Sequence, residues 1–285
     1  MSDHIPSLAD LRRDIDVLDD QIQDLLRRRA EAVQRVADSK EASGETGEFL
    51  RPGREAQILR RVLERHNSSL PPAALLRIWR EMIAALYRLQ APVKIAVHAP
   101  NKSVARWDLA RDYYGSTTSM QLCTTAMAVM RAISSQPLTL GVMTMPEDGE
   151  KEAWWPMLAS RSAETPKVIA RLPFVPNPEG SFADLGALVI GNITPEASGE
   201  DNALLVLMLA EEAFSFARLS AMLTQAGFAG RPLAQHRGSD GMIRVLVEVD
   251  GFVAPEDARL AVLASAAGDP NADAIVIGAY PAPVR

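Results

Sequence analysis

The chain has 285 residues, of which 47% are hydrophobic, so it is long enough for two or three compact units with ordinary soluble cores. Its net charge of -6 excludes a broad nucleic-acid footprint, which needs a basic face against phosphates, and any anion site must be local. A single cysteine, Cys123, excludes an intrachain disulfide framework or a thiolate metal cluster; with no secretory h-region at the N-terminus and no apolar run approaching about 18 residues, a cytoplasmic protein without a membrane segment is expected.

The first predicted element is a helix from Ser7 to Ser43, opened by a Ser7/Asp10 cap and followed by Gly44. Its stripe runs Leu11, Ile15, Leu18, Ile22 and Leu25, then takes in Arg29, Ala32, Val36 and Lys40 at spacings of three and four. Arg29 and Lys40 therefore hold inward positions, roughly 16 Å apart at about 1.5 Å rise per residue. Desolvated cations are expensive unless an anion or a strong hydrogen-bonding group meets them, so the stripe points to an anionic ligand inside a helical bundle. Pro52 opens a second helix running to His66, with Ile58, Leu59, Val62 and Leu63 on its apolar face. A third runs from Pro72 to Gln90 and stops before Pro92; Leu75, Trp79, Met82 and Leu86 form a stripe that Gln90 closes. One such set of helices cannot bury both faces of so long a rod, and two subunits are expected to interlock.

After Pro92 the pattern turns α/β. VKIAVHAP reads as a buried strand, followed by helices over Val104 to Tyr114 and Thr124 to Ile133, then the strand LTLGVMTM. EDGEKE is a charged break, Lys167 to Phe174 reads as a strand, VPNPEGS as a linker-like turn and LGALVIG as a further apolar strand. From Ala203 onward, ALLVLML, a helix from Phe214 to Ala226, two strands ending in MIRVLVEVD, a helix from Pro255 to Ala267 and ADAIVIGAY give the βαββαβ order of a ferredoxin-like sandwich. The expected fold class is multi-domain α and α/β: an N-terminal three-helix unit forming an intertwined helical dimer over 1–92, a small α/β domain over 93–198 and the ferredoxin-like unit over 199–285.

LADLRRDIDVLDDQIQDLLRRRAEAVQRVADSK, RPGREAQIL and IWREMIAALYRLQAP together resemble the all-helical type of chorismate mutase, over residues 1–92. The resemblance implies that Arg29 and Lys40 grip the substrate within one subunit and that Arg12 reaches in from the other subunit of a homodimer. Arg54 and Glu55 would come from the second helix, and Gln90 would complete the pocket. The implied substrate is chorismate, converted to prephenate by a one-step [3,3] rearrangement in aromatic amino-acid biosynthesis. That reaction needs no nucleophile, metal or cofactor; it is helped by holding the reactive conformer and placing donors against the ether oxygen as it gains charge. Arg12 and Arg29 suit the two carboxylates because a guanidinium binds them bidentately. Lys40 and Gln90 suit the ether oxygen, and Glu55 accepts a hydrogen bond from the ring hydroxyl. A glutamine is a donor at every pH, so a broad pH profile is expected.

Each residue alone has a plainer reading. RRR at 27–29 fits a solvated face, Arg12 and Arg54 fit surface positions, Lys40 fits a helix C-terminus and Glu55 a helix first turn. Their joint placement on three helices favours the site. Two positions depart from the family: Arg51 stands where a polar or acidic residue is expected, and a small hydroxyl residue of the third helix falls at Ala85 or Leu86.

The rest of the chain resembles the bifunctional chorismate mutase/prephenate dehydratases, with their motifs emptied. The Gly-Pro-Glu-Gly-Thr loop reads Ala99-Pro100-Asn101-Lys102-Ser103, the Thr-Arg-Phe motif reads Leu185-Gly186-Ala187, and the segment is shorter than the family's. This implies a degenerate dehydratase-like domain without its acid chemistry. The C-terminal unit resembles an ACT domain, which implies an amino-acid effector. Its Gly-Ala-Leu turn, however, reads Phe214-Ser215-Phe216 and its Glu-Ser-Arg-Pro segment Gln235-His236-Arg237-Gly238, leaving phenylalanine, tyrosine or no effector open. His236 reads as a partly exposed strand-end residue, His4, His66 and His98 are too scattered for zinc, and Cys123 reads as buried filler. The expected function is a chorismate mutase; the alternatives are a working bifunctional mutase and dehydratase, and a non-catalytic metabolite-binding regulator.

Overall fold

Three helices open the chain: α1 (Leu8–Ser43), α2 (Pro52–Glu64) and α3 (Pro72–Gln90). A computed structural model describes residues 7–43, 50–100, 104–150, 152–176, 185–210 and 215–284. Local chemistry fixes the helix starts. The Asp10 N–H donates to Ser7 Oγ at 3.2 Å and the Ser7 N–H to Asp10 Oδ2 at 3.1 Å, a reciprocal cap. Pro52 and Pro72 occupy first turns, where no N–H is needed. The stripe Leu11, Ile15, Leu18, Ile22, Leu25 is 45 to 59% exposed, so none of the described residues covers it.

On α3 the face buried in the chain is Leu76, Arg80, Ile83 and Ala84, with Leu86 beside it. It is turned by about one residue from the Leu75/Trp79/Met82/Leu86/Gln90 stripe read from sequence, most of which is half-buried. The difference arises because α3 has two apolar faces. One packs on α2 and on the α/β body; the other flanks α1.

The body comprises β1 (Lys94–His98), α4 (Val104–Tyr114), β2 (Ser119–Cys123), α5 (Ala126–Ser135), β3 (Thr139–Thr144), a 3-10 turn (Trp155–Leu158), β4 (Lys167–Leu172) and β5 (Ala187–Gly191). It continues through β6 (Asp201–Ala210), α6 (Phe216–Gln225), β7 (Gly230–Arg237), β8 (Met242–Asp250), α7 (Ala258–Ser265) and β9 (Asp273–Pro281). All nine strands form one mixed sheet, in the order β2-β1-β3-β5-β4-β9-β6-β8-β7. β1 pairs parallel with β2 and β3, whereas β5 runs antiparallel to β3 and β4. Side chains of β1 alternate between two cores: Ile95 and Val97 meet α4, and Ala96 faces the cluster that includes Val129 and Ile133 of α5. Helices on both faces explain the unbroken apolar runs of β3 and β5.

The C-terminal segment keeps the βαββαβ order, with α6 and α7 packed on one face of its strands. Its other face, through Leu204, Val206 and Leu246, is covered by Trp154 and Trp155 from the segment before β4. Middle and C-terminal segments thus share a core as well as a sheet. The seam is a single registered pair, Val168 with Gly278. A Cβ on Gly278 would lie 2.2 Å from the Val168 carbonyl oxygen, so this close approach admits only glycine. Beside it Glu248 of β8, buried, accepts from Arg171 of β4 at 3.0 Å and from Arg231 of β7 at 2.8 Å, and also receives the Tyr280 hydroxyl of β9.

Candidate active site

α2 places Arg54 and Glu55 side by side in sequence but about 100° apart around the helix, one facing out and one facing in. Arg54 is exposed and donates to Gln57 Oε1 at 3.3 Å; Glu55 is buried. The Glu55 carboxylate receives Arg80 Nη1 at 2.5 Å on one oxygen and the Tyr87 hydroxyl at 2.6 Å on the other, both from α3. Arg80 is itself stacked, with its guanidinium carbon 3.4 Å from the Tyr113 ring centroid of α4 and 5.6 Å from that of Phe174 after β4. Its Nη2 is buried with no hydrogen-bond partner among the described residues. Burial raises the Tyr113 phenol to about 12 and, together with the neighbouring Glu55, pushes Tyr87 higher still, so both phenols stay neutral and Tyr87 keeps the proton it donates to Glu55.

Arg29 is half-buried on α1. Burial lowers its pKa, and the facing Tyr87 is close enough to offset part of that. Arg29, Tyr87 and Glu55 are thereby brought to one region of the helical unit. Lys40 and Gln90 are half-buried at the C-terminal ends of α1 and α3. Arg12 is exposed near the start of α1, roughly 25 Å along the axis from Arg29 at about 1.5 Å per residue, so one chain does not bring these two together. The Arg51 departure is now placed: it precedes α2 and donates to Glu196 Oε2 from Nε at 3.0 Å and Nη2 at 2.9 Å. Leu86, the other departure, is buried.

Sequence reasoning missed Arg80 and Tyr87, the groups that hold Glu55. A signal was present: Arg80 falls on the second apolar face of α3, four residues after Leu76 and three before Ile83, and Tyr87 follows Ile83 by four.

Elsewhere the emptied motifs sit in packed structure. Ala187 is fully buried, and a side chain on Gly186 would meet Met145 Cγ at 2.6 Å. Asn101 to Ser103, Phe214 and His4 lie outside the described residues. Ser215 caps α6 by accepting from the Arg218 N–H, and His236, half-buried on β7, sets its ring edge-on to Trp155 at 6.5 Å. Cys123 is buried at the end of β2, and burial raises its pKa. No helix among the described residues is long and apolar enough to cross a membrane.

Residues 11–91 match the family Chorismate mutase type II. The bifunctional chorismate mutase/prephenate dehydratase of Stutzerimonas stutzeri is 29% identical over 146 residues, 50% of this chain and 40% of that protein. That of Aquifex aeolicus (strain VF5) is 28% identical over 140 residues, 48% of this chain and 38% of that protein. The matched segments span about two fifths of the length of these relatives. Among solved structures, the prephenate dehydratase of Streptococcus mutans aligns with a TM-score of 0.45 and 11% identity over 66% of this chain and 97% of that one. The matched family segment coincides with the three helices that carry Arg12, Arg29, Lys40, Arg54, Glu55 and Gln90, and the N-terminal helical region is a type II chorismate mutase domain.

Proposed function

We propose that this domain converts chorismate to prephenate, as the isomerase step of aromatic amino-acid biosynthesis in the cytoplasm, in a pocket completed by a second subunit. The observation that carries the reading is the coincidence of the mutase family match with a preorganised Glu55, fixed from two sides on the helix that bears Arg54. Each Glu55 oxygen has one described partner, which leaves a lone pair apiece to accept the substrate's ring hydroxyl. Arg29 binds a carboxylate from the same subunit and Arg12 the other carboxylate from its partner. Lys40 and Gln90 donate to the ether oxygen as the C–O bond breaks, and their charge and dipole are set before the reaction begins. The uncovered α1 stripe supports a homodimer, since burying it needs a rod of equal length. The α/β body holds α2 and α3 in place; with Ala187 and Gly186 in packed positions it offers no side chain there for decarboxylation or dehydration.

Loss of chorismate by Arg29→Ala and Lys40→Ala should fall at least about 100-fold while the melting temperature stays close to that of the parent chain. The shared pocket has its own test. Mixing inactive Arg12→Ala and Lys40→Ala subunits should restore about a quarter of parental activity, because half the dimers then hold one intact site. No recovery on mixing contradicts the cross-subunit role of Arg12.

A further inference from the structure

A cleft of about 780 Å³ opens beside the seam of the sheet, far in sequence from the helical domain. One wall is the stretch before β4 and the residues after β5; the other is the link between β8 and α7 together with β9. Ile193, Phe252, Val253 and Val276 make the lining largely apolar. Its volume lies within the range of sites for small molecules.

Charge sets the ligand. Arg161 is committed to Asp273, with both guanidinium nitrogens at 2.6 Å from the two carboxylate oxygens. Glu256, the acidic residue of the lining, is exposed to solvent. Lys167 is different: it is half-buried at the start of β4, next to the seam residue Val168, and its ammonium donates to the Ser160 carbonyl at a long 3.3 Å. An ammonium has three donors, and a carbonyl dipole at that distance replaces little of the water it has lost. Burial accordingly lowers its pKa. A cation in an apolar cleft, held by one neutral acceptor, is the arrangement that an anion with an apolar body completes.

We infer that the seam cleft binds a small carboxylate with an apolar body, its carboxylate meeting the Lys167 ammonium and its body lying against Phe252 and Val276. Because the two walls come from the two parts of the sheet, which share one registered strand pair there, the ligand clamps them together.

Titration of the full chain with 3-phenylpropanoate, followed by ligand-observed NMR and calorimetry, tests this. Saturable binding is expected, with the melting temperature rising as ligand is added, and 3-phenylpropanamide binding at least about tenfold more weakly. Lys167→Gln should lose the preference for the acid, Lys167→Arg should keep it, and Ala254→Trp, which fills the cleft without altering its charge, should abolish binding. Equal binding of acid and amide, unchanged binding in Ala254→Trp, or no saturable binding overturns the inference. So does full displacement by an equal concentration of inorganic phosphate, which would make the site indifferent to the apolar body. Should Lys167→Gln fail to fold, the acid and amide comparison on the parent chain decides.

Discussion

Glu55 and Arg80 form a buried ion pair in the helical site. Both side chains are over nine-tenths buried, so each ion compensates the other where neither has water. Arg80→Met is expected to lower stability by about 3–5 kcal/mol, because it strands the Glu55 carboxylate; a urea melt reads this directly, and an unchanged midpoint contradicts the pairing. Arg80→Lys should restore only part, since an ammonium offers neither the fork nor the flat face stacked on Tyr113. Gln90 gives a prediction of another kind. As an amide it donates at any pH, so turnover should vary little from about pH 5 to about pH 9; a steep loss above neutrality argues against its placement at the ether oxygen. The sequence made Glu55 legible through its place beside Arg54, but not the pair that holds it. A stripe count follows one apolar face, and α3 has two, with Arg80 hidden in the second.

Among the elements, α1 is a helix of 36 residues whose apolar stripe is left uncovered by the described residues of its own chain. Leu18→Asp together with Ile22→Asp is expected to leave a monomer by sedimentation and to remove mutase activity, with the body's own unfolding transition intact. A dimer of parental activity carrying both aspartates contradicts the interlocked arrangement. α2 is held from the opposite direction. Arg60 donates to the backbone carbonyls of Glu200 at 2.8 Å and Ala282 at 3.0 Å, tying the helix of the Arg54–Glu55 pair to the end of the chain. The starts of α1, α2 and α3 were legible because caps and prolines are local signals, whereas α2 ends at Glu64, two residues short of the expected His66. β2 was not. Ser119 to Cys123 is a strand of five residues at the sheet edge, with one buried residue and too short for its Met120/Leu122 alternation to stand out.

Across the whole molecule, the ferredoxin-like order was readable, and the single sheet that joins it to the middle segment was not. That joint rests on Gly278 lying against the Val168 backbone and on the four-strand tie at Glu248, and long-range pairings of this kind leave no periodic trace. Burial works against the charged form of Glu248, but the Tyr280 and Arg231 hydrogen bonds and the charge of Arg171 outweigh it and lower its pKa in the fold. Its contribution is therefore present above the unfolded carboxylate value of about 4.3 and is lost as pH falls through the lower folded value. Glu248→Gln should cost about 1–3 kcal/mol near neutrality and flatten the acid limb of the stability curve; identical acid limbs contradict the tie.

We propose a working mutase in the helical domain and no dehydratase in the body attached to it, and proton NMR of chorismate incubated with the purified chain tests both halves at once. Prephenate should accumulate as chorismate disappears, with no phenylpyruvate formed by the chain; untouched chorismate, or phenylpyruvate growing at the expense of prephenate, contradicts the account.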